Sequence, residues 1–365
     1  MDTGHRKPVG AFTGLRYTVQ GEPPRELARL FQAVSRELRR EGACCEPSDD
    51  PNFVLNLIDL ANPSPYRRRA QGTLVISLAT VESPPERPAD MLYVYLVRSL
   101  SNMLIAYSPG AGATFVTLEM GEYFEPEGPD LAARIARRIH PVASSLLVIG
   151  NRFDPDLEPE LYDGDSHTED LRRAGVRLAA WDLLPAPFPI ERILPPKDYR
   201  HVKRLYGIGG LSYGNLSVRK DASRFWMSCS GVDKANLERV GSHIQMVKGY
   251  DDRTNCIVLS VPTGRELRRV SVDAIEHLLV YRDHPGVNAI IHVHAWMDGI
   301  VSTEFNFPCG TYELGEAVAE VVRQAPDPTR AIVGLKNHGL TITGRSLDDI
   351  FERIDGRLLK QIPMS

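Results

Sequence analysis

The stretch Val287-Asn288-Ala289-Ile290-Ile291-His292-Val293-His294-Ala295 is apolar apart from Asn288 and two histidines. A short apolar run of this kind, rich in β-branched residues, reads as a buried strand. Side chains alternate along a strand, so His292 and His294 project from the same face. A single histidine on an apolar strand is most often a hydrogen-bonded core residue. Two of them, one residue apart, can share a metal ion as neutral imidazoles, with Zn–N distances of about 2.0–2.1 Å.

Working outward, the next chemical features lie on either side of that strand. Upstream, Val270-Ser271-Val272-Asp273-Ala274-Ile275-Glu276-His277 opens a helix that runs toward Asp283, with Ser271 as its expected N-cap. Asp273 then falls in the first turn. It could simply complement the helix dipole, or it could act as an acid/base or fourth metal ligand beside the histidines. Downstream, strand-like runs flank Asn337-His338-Gly339. That bend places a third imidazole where it could meet the first pair. Gly339 would allow either a positive φ or a close approach by another group. Further upstream, Gly207 to Arg219 is rich in glycine and hydroxyls, and a second strand ends in Ser228-Cys229-Ser230-Gly231. The spacing is neither that of a P-loop nor that of a dinucleotide fold. Turns of this composition can nonetheless gather backbone N–H groups around an anion.

The first half of the chain alternates helix-like and strand-like segments, which predicts a layered α/β domain. Pro24 to Gly42 places Leu27, Leu30, Phe31, Val34 and Leu38 on one helical face. Phe53 to Ile58, Thr73 to Leu78 and Thr114 to Leu118 read as strands, and Asp130 to His140 as a helix. Leu146 to Gly150 reads as a strand, Glu169 to Gly175 as a short helix stopped by its glycine, and Val176 to Trp181 as another strand. Pro185, Pro187, Pro189, Pro195 and Pro196 then crowd together, which suits a stiff connector. The expected domains are therefore 1–190, of unassigned role, and 195–365, which carries the chemistry.

Composition narrows the field. The chain has 365 residues, 25% of them charged and 42% hydrophobic, which is ordinary for a globular protein. A net charge of -4 gives no overall attraction for phosphate backbones, so no nucleic-acid partner is expected. Cys44, Cys45, Cys229, Cys256 and Cys309 are odd in number and form no CxxC pair, which fits reduced thiols in a cytoplasmic protein. The N-terminus lacks an apolar run of the signal-peptide type. Met91 to Tyr107 is too short and too interrupted to span a bilayer, so it is expected as buried core, with no membrane partner. The acidic stretches Glu119 to Asp130 and Asp154 to Asp165 lack the ligand spacing of a calcium loop.

Five motifs in order, Gly214-Asn215-Leu216-Ser217-Val218-Arg219, Ser230-Gly231, Ser271-Val272-Asp273, His292-Val293-His294-Ala295 and Asn337-His338-Gly339, resemble the class II aldolase/adducin family. The likeness is to its sugar-phosphate aldolases and 4-epimerases. From Ser271 to His294 the match needs no gap. It covers roughly residues 195–365, while the N-terminal half resembles nothing that can be named. The resemblance implies an α/β/α sandwich around a central, mainly antiparallel sheet. It implies a divalent metal, most often Zn²⁺, on His292, His294 and His338. It further implies a phosphate pocket from Gly214, Asn215, Ser230, Gly231 and Ser271, and a homo-oligomer.

The function so implied is a metal-dependent lyase that cleaves or forms a C–C bond in a small phosphorylated or hydroxylated carbonyl compound through an enediolate, with Asp273 as the catalytic carboxylate. Two alternatives stand beside it: a sugar-phosphate epimerase, and a non-catalytic adducin-like binding or sensing module. This sequence departs from the family's pattern in several places. The aldolases have Glu where Asp273 stands, whereas the epimerases have Asp. Glu276, one helical turn on, could exchange roles with Asp273. Val272 replaces a second serine of the phosphate site. The segment between His294 and Gly310 is short. No C-terminal extension follows to supply the tyrosine often found there, which leaves Tyr213 and Tyr312 as the tyrosines to consider.

Overall fold

The computed structural model describes residues 12–69, 72–118, 121–181, 183, 194–200 and 214–363. The chain divides into two compact units, Met1–Ser145 and Leu146–Ser365.

The N-terminal unit is built on β1 (Arg16–Gln20), β2 (Cys44–Cys45), β3 (Phe53–Leu57), β4 (Leu74–Thr80), β5 (Met103–Ser108), β6 (Gly112–Thr117) and β7 (Glu122–Pro126). They form one sheet in the order β2-β1-β3-β4-β5-β6-β7. The strands from β2 to β5 run parallel, and β6 and β7 turn back antiparallel. Helices α1 (Arg25–Arg40) and α3 (Leu131–Ala143) cover one face. There Leu27, Leu30, Val34 and Leu38, spaced as a helical stripe, meet Leu131, Ile135 and Ile139 over Phe53, Leu55, Ile76 and Ile105. The apolar run from Met91 to Tyr107 is buried for most of its length, with Met91 and Arg98 exposed. It is divided between α2 (Pro88–Arg98) and β5, with Leu100 in the left-handed region (φ 58°) where the chain reverses. Among the described residues no helix is long and apolar enough to cross a membrane.

The C-terminal unit contains β8 (Gly150–Asp154), α4 (Ser166–Ala180), β9 (Asn215–Arg219), β10 (Phe225–Ser228), β11 (Ile244–Asp251) and β12 (Cys256–Ser260). These are followed by α5 (Ala274–Asp283), β13 (Ala289–Val293), β14 (Val301–Ser302), α6 (Tyr312–Gln324), β15 (Ile332–Leu335), β16 (Gly339–Gly344) and α7 (Leu347–Ile354). The sheet order is β14-β15-β16-β13-β9-β10-β11-β12-β8, antiparallel everywhere except at the two edge pairings. Period-two alternation gives this sheet two distinct faces. Leu216, Val218, Ile291, Val293, Leu340 and Ile342 point to one side and pack with residues of α4 and α7. Phe225, Met227, Val247, Ile290, Val333 and Leu335 point to the other and pack with α5 and α6. The result is the expected α/β/α layering with a mainly antiparallel sheet.

The division between units falls about forty-five residues before the proline cluster that suggested it. Elements on both sides of that cluster share one sheet and one core. β8 pairs with β12, and Leu171, Ala174 and Leu178 of α4 pack with Leu216 and Trp226. Two expectations in this region therefore change. The strand expected at Leu146–Gly150 begins only at Gly150. The strand expected at Val176–Trp181 is helix, because α4 runs straight through Gly175. That glycine is not a stop. A Cβ there would lie 2.1 Å from the Lys234 carbonyl oxygen, so its missing side chain is what lets the helix lie against the turn at Lys234–Asn236. An Asp165–Thr168 capping box starts the same helix.

Candidate metal centre and its surroundings

β13 lies between β16 and β9, and the register aligns Asn215, His292 and Thr341 in one row across three strands. Alternation turns that row toward α5, away from the apolar face beneath. His294 follows just past the end of β13. His338 comes from the β15–β16 turn, where Asn337 takes φ 58° and His338 donates its backbone N–H to Leu335. The left-handed residue of this turn is thus Asn337 and not Gly339. Gly339 serves close approach instead: a Cβ there would stand 2.3 Å from the Val293 carbonyl oxygen. Gly214 does the same on the other flank, with φ 118° and the His292 carbonyl oxygen 2.3 Å from its would-be Cβ. Two bare glycine backbones thus press against the histidine-bearing strand from both sides.

The three imidazoles converge. Their ring centroids are 5.0–5.2 Å apart, and one nitrogen from each lies within 4.8 Å of the other two. The Nε2 atoms of His294 and His338 are 3.3 Å apart. Two nitrogens each about 2.0–2.1 Å from a shared tetrahedral ion would stand about 3.3 Å apart. His292 and His338 are buried, and burial, followed by the neighbouring imidazoles, holds both well below the usual histidine range, which keeps them neutral as ligands must be. His292 Nε2 and His338 Nδ1 have no hydrogen-bond partner among the described residues. Buried polar atoms rarely go unpaired. The donor set therefore fits a divalent ion that takes nitrogen ligands.

Asp273 sits beside the cluster and outside it. It occupies the N-cap position of α5, two residues after the expected Ser271, yet its side chain caps nothing. The carboxylate is engaged elsewhere. Oδ2 accepts from Asn215 Nδ2 at 2.6 Å and from Ser271 Oγ at 3.5 Å, and Oδ1 accepts from Cys309 Sγ at 2.9 Å. Asn215, expected in the phosphate pocket, thus spends its amide on Asp273, while its Oδ1 is without a partner among the described residues. Three of the other expected residues lie near one another. A bridge between Cys229 and Val270 brings the Ser230–Gly231 loop beside Ser271. Gly231 takes φ 66° there. Tyr312 is placed elsewhere, its ring against Tyr250 and its hydroxyl accepting from Arg282. Tyr213 lies outside the described residues.

Sequence reasoning missed three participants. Cys309 read only as a reduced thiol. Lys234 was passed over although it follows Ser230-Gly231 closely. Its side chain is buried, with Nζ 3.1 Å from the Val232 carbonyl oxygen, and burial lowers its pKa to about 8. Thr341 carried no signal, since a threonine in a strand is ordinary. Its hydroxyl donates to Glu276 Oε1 and lies 3.4 Å from His292 Nδ1. Glu276 is 1% exposed, and burial first, then the Asp273 charge, pushes it up to about 8. It reaches Thr341 and does not join the histidine cluster, so no exchange of roles with Asp273 is seen. His277, on the same helix, is structural. Its Nδ1 is 2.7 Å from Ser217 Oγ, and burial lowers it to about 4.

Residues 199–304 match the family model described as the class II aldolase and adducin N-terminal domain. That segment of the chain is a class II aldolase/adducin domain. It contains Asn215, Asp273, His292 and His294, while His338 lies beyond it and is brought in by the fold. Among curated relatives, a methylthioribulose-1-phosphate dehydratase of Cronobacter sakazakii is 37% identical over 154 residues, 41% of this chain and 65% of that protein. An L-fuculose phosphate aldolase of Methanococcus maripaludis is 25% identical over 169 residues, 40% of this chain and 81% of that protein. A solved L-fuculose 1-phosphate aldolase superposes with a TM-score of 0.36 and 20% identity, covering 53% of this chain and 82% of the other. The chain spans only 65% and 34% of the length of two of the dehydratase relatives.

Proposed function

We propose that the C-terminal unit is a divalent-metal lyase for a small phosphorylated or hydroxylated carbonyl compound. The observation that carries this reading is the three-imidazole cluster with an oriented carboxylate beside it. His292, His294 and His338 would hold the ion, for which Zn²⁺ suits the all-nitrogen set. When bound, it would supply Lewis-acid polarisation of the substrate's oxygens. Asp273 takes or returns a proton at Oδ1 or Oδ2, and Asn215, Ser271 and Cys309 fix its direction. Ser230, Gly231 and Ser271 grip the anionic end of the substrate, with the Lys234 charge next to them in the loop.

An enediolate is common to two outcomes. Retro-aldol cleavage forms it by removing the proton of the β-hydroxyl and breaking the C–C bond, which releases an aldehyde. Dehydration forms it by removing the proton beside the carbonyl and then breaks the C–O bond of the β-hydroxyl, which leaves as water. The dehydratase names of several relatives favour dehydration as the second reading. The test is product analysis on a panel of ketose phosphates, including a methylthio-substituted one, with Zn²⁺, Mn²⁺ or Co²⁺ supplied. Released aldehyde identifies cleavage, and a dicarbonyl product formed with loss of water identifies dehydration. Epimerised substrate with neither product would establish the epimerase alternative. No turnover of any substrate by metal-loaded protein would sink the lyase reading and leave the binding module.

A further inference from the structure

We infer that Thr341 and Glu276 are positioning residues for His292, fixing its imidazole with the proton on Nδ1 and the Nε2 lone pair turned toward the ion. This rests on the reading of His292 as a ligand and extends it to two buried groups that touch neither ion nor substrate. Thr341 is the direct cross-strand neighbour of His292 in the β13–β16 ladder, and such partners share a sheet face. A threonine hydroxyl has one proton to give. Here it goes to Glu276 Oε1, so the Thr341 oxygen faces His292 Nδ1 as an acceptor. Nε2 has no partner among the described residues. The ring's side-chain hydrogen bond therefore lies on Nδ1, and the other nitrogen is left for a ligand role.

The composition of α5 makes the case independently. Glu276 is 1% exposed, between Ile275 and the buried Leu279 and Val280. A carboxyl in such a place is costly, and its Oε2 has no partner among the described residues. An apolar residue would pack the helix more cheaply, and the threonine hydroxyl could then turn to a carbonyl. The Glu–Thr–His chain gives both groups a task, of the kind that outer hydrogen bonds perform for metal-bound imidazoles. Asp273 and Glu276 stand one turn apart on α5. The same helix thus orients a ligand and carries the proton acceptor, so that the two are registered to one another.

The test uses full-length metal-free protein labelled with ¹⁵N-histidine, in which His292→Gln assigns the His292 ring signals. Wild type and Thr341→Ser should show the Nδ1–H tautomer, and Thr341→Val and Glu276→Leu should lose it or mix it with the other. Zn²⁺ titration against a chromophoric chelator provides the second readout. Thr341→Val and Glu276→Leu should bind Zn²⁺ about 10–100-fold more weakly, with Thr341→Ser and Glu276→Gln close to wild type. An Nε2–H tautomer in the wild type overturns the proposal. So does unchanged affinity in both apolar variants when His292→Ala loses the ion. Unchanged affinity in His292→Ala itself would instead overturn the ligand reading, and the proposal with it. Should Thr341→Val fail to fold, the wild-type tautomer and the contrast between Glu276→Gln and Glu276→Leu decide.

Discussion

Both units bury a row of polar side chains on a sheet face, and the two rows end differently. In the N-terminal unit Asn56 gives its amide to the Ser64 carbonyl and to Ser77, and its oxygen accepts from Gln20. Ser77 meets Ser101 at 2.5 Å, Ser101 meets Ser99, and Ser99 donates to the Tyr95 carbonyl. The row closes on itself. In the C-terminal unit Asn215, His292 and His338 each keep one buried atom without a partner among the described residues. A closed polar row is a structural device, because every desolvated group has been compensated. An open row concentrated on one patch marks a place where something else completes the bonding. That difference, more than the presence of histidines, separates a scaffold from a site.

The comparison is most vulnerable at the histidines. His338→Ala removes one ligand from the open row and should take bound metal from about one ion per chain to almost none. Elemental analysis of untagged protein checks this, and a full complement of metal in the variant would mean the row is open for another reason. Asp273→Asn comes next. It keeps the shape and the ion but removes the proton acceptor, so turnover should fall by about 10²–10⁴-fold while metal content holds. A steady-state assay paired with elemental analysis separates the two effects. If metal fell in step with activity, Asp273 would be a ligand.

The closed row should respond in the opposite manner. Asn56→Leu strips partners from Gln20, Ser64 and Ser77 at once and should cost about 1–3 kcal/mol of stability, leaving metal content and turnover per folded molecule unchanged. Chemical denaturation followed at both units reads this directly. A change in metal content from a substitution on the N-terminal sheet would break the division of labour between the two rows.

What the sequence discloses follows from how local each signal is. β13 and its His-x-His pair are legible because strand alternation needs only nine residues. The helical stripe of α1 is legible for the same reason, at period 3.6. Gly175 misleads because a glycine that ends a helix and a glycine that lets one lie against a neighbouring turn look alike, and only the Lys234 carbonyl tells them apart. The unit boundary misleads because prolines report local stiffness and not which sheet the flanking strands join. The pairing of Thr341 with Glu276 is invisible for a deeper reason. They are sixty-five residues apart and meet only through the β13–β16 register and the seat of α5, neither of which leaves a local trace.

The smallest effect is one of pH, and it contrasts two neighbours on α5. Burial lowers His277 from an ordinary 6.5 to about 4, so between those values the unfolded chain binds a proton that the folded one does not. Its contribution to stability is therefore complete above about 6.5 and is lost as pH falls toward 4. Glu276 is raised from 4.5 to about 8, so across that interval the folded form holds the extra proton. Its contribution is complete below about 4.5 and declines as pH rises through 8. Between 4.5 and 6.5 the two slopes oppose and offset, so metal-free protein should hold about level there and lose stability between 6.5 and 8. Glu276→Gln cannot ionise, so it should abolish the alkaline decline and uncover the rise from pH 4 to 6.5 that His277 alone gives. Melting temperatures of the two proteins across pH 4–8 test both limbs, and an alkaline decline that survives in Glu276→Gln would assign it to a group other than this carboxyl.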